Sequence, residues 1–281
     1  MATTTSLDDW NHLVQEIATT LDPKVGVVEP ALTFIHSQPH SHSFTHSQAR
    51  LRRYWQAHTR PDGRLATQCR PTKLQTGILS SSSSGSALVN DNVFVGVFYQ
   101  VGVGGGEVVV VGDDDDEWYL TRLLNLAVDW NATGRLSHSM GWRLFVTVEG
   151  DGASRDDLLL ASVAALGTTR LPSHVEYEDG KMWIMKADVT KPVVLRTVPV
   201  PLTIGLWVDE QGQTQWLVDP SVEEQAGLTG TLSIVLDARQ PDQVLSMELS
   251  GGTFRKADLA RALLLAKGRA EELRAILEPS G

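Results

Sequence analysis

Cysteine is almost missing from this chain: Cys69 is the one example in 281 residues. No disulfide framework can form, which fits a reducing compartment. Basic charge is short as well. Lys and Arg number 24 against 34 Asp and Glu, and the formal net charge is −10. A protein that wraps nucleic acid by bulk electrostatics needs a basic face. That mode is excluded, although a local basic strip is not. No run approaches the ~20 apolar residues of a membrane helix. Asp8, Asp9 and Glu16 come early, and Lys24 is the sole Lys or Arg before Arg50. Neither a secretory signal nor an Arg-rich transit peptide is expected. The reading is of a soluble chain of the cytosol or nucleus with no membrane partner.

What is present supports a real core. Hydrophobic residues make up 42 %, ordinary for a globular protein, and the length suits one large domain or two small ones. Trp10, Leu13, Ile17 and Leu21 fall at helical spacing, and residues 36–48, rich in His, Ser and Gln, read as a linker. Residues 1–48 are expected to be an N-terminal extension and 49–281 the folded domain. Leu51, Tyr54 and Trp55 predict a helical turn or two, ended by Pro61-Asp62-Gly63. Strands are expected at Thr72–Thr76, Ala87–Val89 and Val93–Tyr99, with a break at Gly102–Gly106 and a short strand at Val108–Val111. A helix follows through Leu120, Leu123, Leu124, Ala127 and Trp130. In Trp142–Glu149 one face is Trp, Leu, Val, Val and the other Arg, Phe, Thr, Glu, the alternation of a half-buried strand. A helix at 155–166, a hairpin of Leu202–Val208 with Thr214–Val218, strands through Leu232–Leu236 and Val244–Leu249, and a helix from about Lys256 to Leu277 complete the pattern. Blocks of strands joined by tight turns, interspersed with helices, read as an α+β fold, a mixed sheet with packed helices, and not a doubly wound parallel sheet.

The most informative stretch is Gly150-Asp151-Gly152-Ala153-Ser154-Arg155-Asp156-Asp157-Leu158. A strand, a Gly-rich turn and a helix N-terminus make a natural anion site. Ser154 and Arg155 suit phosphate, whereas Asp156 and Asp157 repel it. The same residues fit a capping box, with Ser154 as N-cap and Asp157 three positions on. The structural reading is favoured.

Several stretches together resemble the RNase PH superfamily, and more narrowly the PH-like ring subunits of the eukaryotic RNA exosome. They are Arg60-Pro61-Asp62-Gly63-Arg64, Gly85-Ser86-Ala87-Leu88-Val89 after a serine run, Trp142–Val148 with the Gly-Asp-Gly turn, Ala164-Ala165-Leu166 then Leu171-Pro172, Val218-Asp219-Pro220 with Glu223-Glu224, and Thr229–Asp237. The resemblance implies a mixed sheet packed by helices. It implies 3′-end RNA cleavage in active members, by phosphate or a metal-activated water, through a helical arginine pair, a Gly-Thr/Ser-Arg phosphate turn and two acids. Here Ser154 and Arg155 occupy the phosphate turn, Asp219 stands where the first acid would be, and Gln225 falls near the second. An amide is neither a base nor a comparable metal ligand. Arg122 alone lies on the 115–130 helix. An oxyanion site needs donors and cations aimed at developing charge, so these positions read as degenerate and the chain as non-catalytic, without cofactor or metal. The partners implied are other PH-like ring subunits, RNA-binding cap proteins and RNA in the ring channel, in nucleus, nucleolus and cytoplasm. An active phosphorolytic 3′→5′ exoribonuclease is the alternative.

Other motifs have plainer readings. Gly102–Glu107 hints at a dinucleotide loop, but Glu107 replaces the third glycine and a strand follows, so a hairpin or loop is expected. Asp113–Asp116 reads as a solvated helix start, not a calcium loop. His36, His40, His42 and His46 lack ordered ligand spacing. Arg50, Arg52, Arg53, Arg60, Arg64 and Arg70 form the densest basic cluster. Arg60, Arg64 and Arg70 are the candidates for contacting RNA, against pairing with carboxylates such as Asp62. Cys69 reads as inert packing.

Overall fold

The computed structural model describes residues 31–34, 46–57, 59–78, 85–111, 117–133, 136, 140–150, 153–178, 182–252, 254 and 256–278. The helix expected within 1–22, most of the His/Ser linker and the acidic run 113–116 lie outside them. The chain forms two compact units. Unit 1 draws on both ends, Met1–Pro71 and Val200–Gly281, and unit 2 is the continuous stretch Thr72–Pro199.

Unit 2 is built on a five-stranded sheet ordered β2-β3-β4-β6-β5. The strands are β2 (Leu74–Thr76), β3 (Gly85–Val89), β4 (Val93–Val103), β5 (Glu107–Val111) and β6 (Met140–Gly150). The period-two pattern of β6 is realised: Trp142, Leu144 and Val146 are buried, and Arg143, Phe145 and Thr147 are not. Because β5 pairs parallel to β6 and not with β4, the expected break narrows to Gly104–Gly106, a crossover loop and not a hairpin, and Gly102 and Val103 stay in β4. Helix α2 (Glu117–Ala127) closes the β5 edge. Asn125 accepts from Val108 N–H at 2.9 Å and donates to Val108 O at 2.7 Å, and Thr121 Oγ1 accepts from Val110 N–H at 3.1 Å. These bonds occupy backbone groups that an open strand edge would offer to another chain. The expected continuation of this helix through Trp130 does not occur. Arg196 N–H takes the Ala127 carbonyl at 2.7 Å, and Trp130 begins a separate short helix, α3 (Trp130–Thr133).

Helix α4 (Arg155–Thr168) has Asp157 through Leu166 all buried, so apolar residues surround it and no single stripe marks it. It lies against β3 at Gly85, where a Cβ would sit 2.1 Å from Ala165 O and from Thr169 Oγ1. The unit ends in an antiparallel ribbon, β7 (Arg170–Glu178) with β8 (Met182–Pro192), which the sequence pattern did not reveal.

Unit 1 carries a second five-stranded sheet, ordered β1-β12-β11-β9-β10. Its strands are β1 (Ala31–Phe34), β9 (Pro199–Val208), β10 (Thr214–Val218), β11 (Gly230–Asp237) and β12 (Gln240–Gly251), with β1 parallel to β12. The β9–β10 turn follows its sequence: Gly212 has φ +74°, and the Asp209 carboxylate accepts from Gln211 N–H at 2.9 Å and Gln213 N–H at 2.8 Å. Helix α6 (Lys256–Leu277) buries Leu259, Leu263, Ala266, Ala270 and Leu273 along one stripe and leaves Leu277, the last apolar residue at that spacing, half-buried. Helix α1 (His46–Gln56) contributes Leu51 and Trp55 to a cluster with Trp207 and Leu217, the two indoles 5.5 Å apart. A short helix, α5 (Val222–Gln225), follows β10. Both five-stranded sheets mix parallel and antiparallel pairs and pack helices, so the fold is α+β.

Candidate functional site

Within unit 1, Asp219 follows the last residue of β10 and takes a left-handed backbone, φ +50°. That turn lets Ser221 cap α5 in a full capping box. Ser221 Oγ accepts from Glu224 N–H at 3.3 Å, and Glu224 Oε2 accepts from Ser221 N–H at 2.8 Å. The box drives the Glu224 carboxylate inward, where it is 1 % exposed, and a buried carboxylate requires cations and donors.

Three arginines from the segment after α1 supply them. Arg60 grips Glu224 with both arms of its fork, Nε to Oε1 at 2.9 Å and Nη2 to Oε2 at 2.5 Å. The same guanidinium donates to Val218 O at 2.7 Å and Asp219 O at 2.9 Å. Arg70 closes on the Asp219 carboxylate through its backbone N–H at 2.6 Å, Nη2 at 2.7 Å and Nε at 3.1 Å. Arg64 donates to Asp219 Oδ2 at 3.3 Å and to Asp62 Oδ2 at 2.6 Å. Three guanidinium ions thus face three carboxylates in planar forks that only arginine provides.

Local acidity follows this arrangement. Burial pulls the Asp62 carboxyl upward, but hydrogen bonds from the Arg64 backbone and guanidinium, with the Arg64 and Arg60 charges, outweigh it and leave the group below the ordinary carboxylate range. Burial pushes the neighbouring Cys69 thiol up to about 11.

In unit 2 the phosphate-turn candidates meet an anion of the chain's own. Ser154 Oγ accepts from Asp157 N–H at 3.1 Å and donates to Asp157 Oδ2 at 2.6 Å, and Asp157 Oδ1 accepts from Asn90 Nδ2 at 3.1 Å. The Asp157 carboxylate is buried at the N-terminus of α4, where the helix dipole favours negative charge. The Arg155 guanidinium lies over the Tyr119 ring at 4.7 Å, a cation–π contact.

The structure brings Arg60, Arg64, Arg70 and Asp219 into one network in unit 1 and places Ser154 and Arg155 in unit 2. Gln225 is exposed at the end of α5. Arg60 and Arg64 are buried at 2 % and 8 %, so they form no exposed basic strip, and the pairing of Arg64 with Asp62 is the one the turn sequence offered. Arg70 keeps a quarter of its side chain exposed. Sequence reasoning passed over Glu224 as a functional partner of Arg60, yet Ser221-x-x-Glu224 is a capping-box pattern that flags it. Asn90, which holds Asp157, carries no comparable signal.

Comparison with solved structures decides the fold. An archaeal exosome core subunit superposes with a TM-score of 0.65 at 23 % identity, covering 83 % of this chain and 96 % of that one. A chain of the Archaeoglobus fulgidus exosome with RNA bound to the active site gives 0.63 at 22 %, covering 83 % and 98 %. The chain shares the fold of these exosome core chains. Rice Rrp46 follows at 0.55 and 16 %, covering 78 % of this chain and 98 % of that one. In sequence, this chain is 30 % identical over 131 residues to exosome complex component Rrp42 of Thermococcus gammatolerans, 46 % of this chain and 45 % of that protein. It is 24 % identical over 253 residues to Rrp42 of Methanothermobacter thermautotrophicus, 79 % of this chain and 90 % of that protein. In the T. gammatolerans alignment the chain spans about half the length of its relative, as it does with Rrp42 of Pyrococcus horikoshii (45 %) and Pyrobaculum aerophilum (47 %). No family model matches.

Proposed function

We propose that this chain is a non-catalytic PH-like subunit of an exosome ring, supporting 3′→5′ RNA processing and degradation by assembly and by threading RNA. The observation that carries this reading is the state of Asp219. It stands where active members of the superfamily carry their first acid, and both of its oxygens accept from Arg70 while Arg64 donates to Oδ2. A carboxylate whose oxygens are taken by two guanidinium ions offers little room for a metal ion or a reacting group. The second acid position holds Gln225, and the phosphate turn holds the Asp157 carboxylate at its helix N-terminus. Such sites retain shape without the charge that phosphorolysis needs. Other PH-like chains and RNA-binding cap proteins are the partners of this reading, RNA passes through the ring channel, and the compartments are nucleus, nucleolus and cytoplasm.

The test is direct. The purified chain, given 3′-labelled RNA and inorganic phosphate, is expected to release no nucleoside diphosphate alone and to enter a stable ring with other PH-like subunits. Phosphate-dependent release by the isolated wild-type chain, lost in Asp219→Ala, would establish the exoribonuclease alternative. Absence of any assembly with PH-like subunits would sink the structural reading.

A further inference from the structure

Among the described residues of unit 2, helices cover one side of the sheet. Helix α4 lies against β3 and β4, and α2 against β5, so Ala87, Val89, Val95, Val97, Leu144 and Val146 are buried. The opposite face is nonetheless apolar. Strand register sets Phe98 opposite Phe145, and Phe145 opposite Val109, in one row across β4, β6 and β5. Val111 pairs with Thr147 in the next row, and Leu88 pairs with Phe94. Phe94 and Phe98 both reach over Gly96, where a Cβ would meet their rings at 3.7 and 3.4 Å. Phe98 is 52 % exposed and Val111 45 % exposed, while Phe94, Phe145, Val109 and Leu88 are half-buried. Charge is confined to the two ends of this face. The Glu107–Arg143 pair, at 2.8 Å, marks one end and the exposed Glu149 the other. An apolar centre with a polar rim is the anatomy of a protein interface.

We infer that this open face of β3-β4-β6-β5 docks one neighbouring PH-like chain, different from this one, through an apolar surface that carries a basic residue opposite Glu149. The inference rests on the ring-subunit reading and adds to it the surface used. Charge selects the occupant. With a net charge of −10, a second copy would bring another acidic surface against this one, whereas a neutral or basic neighbour is attracted. Arg143 is already paired with Glu107, and Glu149 makes no ion pair among the described residues, so a partner's cation has an open position beside Phe94, its cross-strand neighbour. The edge of the sheet is unavailable for strand addition along Val108 and Val110, which α2 already bonds. Docking therefore proceeds through the face.

The experiment is co-expression of the full chain with other PH-like subunits, read by analytical ultracentrifugation, alongside thermal melts of the chain alone. Phe98→Glu and Val111→Glu change exposed side chains and should leave the isolated chain folded. Each is expected to weaken co-assembly by about tenfold or more, and Glu149→Lys by a smaller factor with a loss of salt dependence. If Phe98→Glu alone unfolds, Val111→Glu and Glu149→Lys decide. Variants that co-assemble like the wild type would overturn the surface while leaving the ring reading intact. A wild-type chain that joins no PH-like subunit overturns both. A wild-type chain that self-associates through this face, with Phe98→Glu abolishing it, overturns the choice of a different partner.

Discussion

At the scale of single residues, the network around Asp219 and Glu224 sets the strongest expectations. A buried ion pair adds little over an apolar replacement, but removing one partner strands a charge and costs about 3–5 kcal/mol. Arg60→Ala should therefore destabilise the chain by about that amount, read as a shift in the denaturation midpoint, because it leaves Glu224 without the guanidinium that holds it. Arg60→Lys should recover only part, since an ammonium cannot reproduce the fork. Two groups make the pH profile specific. The folded Cys69 thiol keeps its proton to about pH 11, whereas an unfolded thiol loses it near ~8.5. Between those values the folded state binds more protons, so the Cys69 contribution falls as pH rises through that window. Thiol-selective reagents should react slowly with native protein at pH 8 and much faster after denaturation. Asp62 acts in the opposite direction. Its carboxyl is held below the ordinary range, so its contribution is present at neutral pH and fades in acid. Asp62→Asn should cost stability at pH 7, and the difference from wild type should vanish at pH values well below ~4.

At the scale of elements, α4 depends on two devices. Ser154→Ala removes the acceptor for Asp157 N–H and the hydroxyl donor to its carboxylate, and loss of such a cap costs about 1 kcal/mol. Gly85→Ala drives a methyl into the Ala165 carbonyl at 2.1 Å and should prevent normal packing of α4 on β3, seen as a large loss of cooperative melting. Legibility also divides at this scale. Strand β6 and helix α6 were readable because each has one buried side and a period that shows it. Helix α4 was readable through its cap. The β7–β8 ribbon was not, since Pro172 and mixed charges interrupt the alternation of β7, and β1 is too short to carry a pattern. The N-capping serine and acidic first turn of α4 were visible in the sequence. The role of Arg60 was hidden because its carboxylate lies 164 residues away, and no local rule links the two.

At the scale of the whole molecule, the division into two units was beyond the sequence. Unit 1 closes through contacts distant in sequence, such as β1 with β12 and Trp55 with Trp207. The acidic total and the covered β5 edge favour association through faces over strand addition. Assembly with PH-like neighbours should weaken less with added salt than nucleic-acid binding does, because apolar area and not counterion release drives it. Sedimentation across a salt series checks this.

The interrupted path of unit 1 bears on how the chain is made. A ribosome delivers Arg60, Arg64 and Arg70 long before Asp219 and Glu224, with Arg70 preceding its carboxylate by 149 residues. All of unit 2 leaves the exit tunnel in that interval. A nascent polypeptide therefore presents Arg60 and Arg70 beside the ribosome's own RNA before the carboxylates that later hold them have been made.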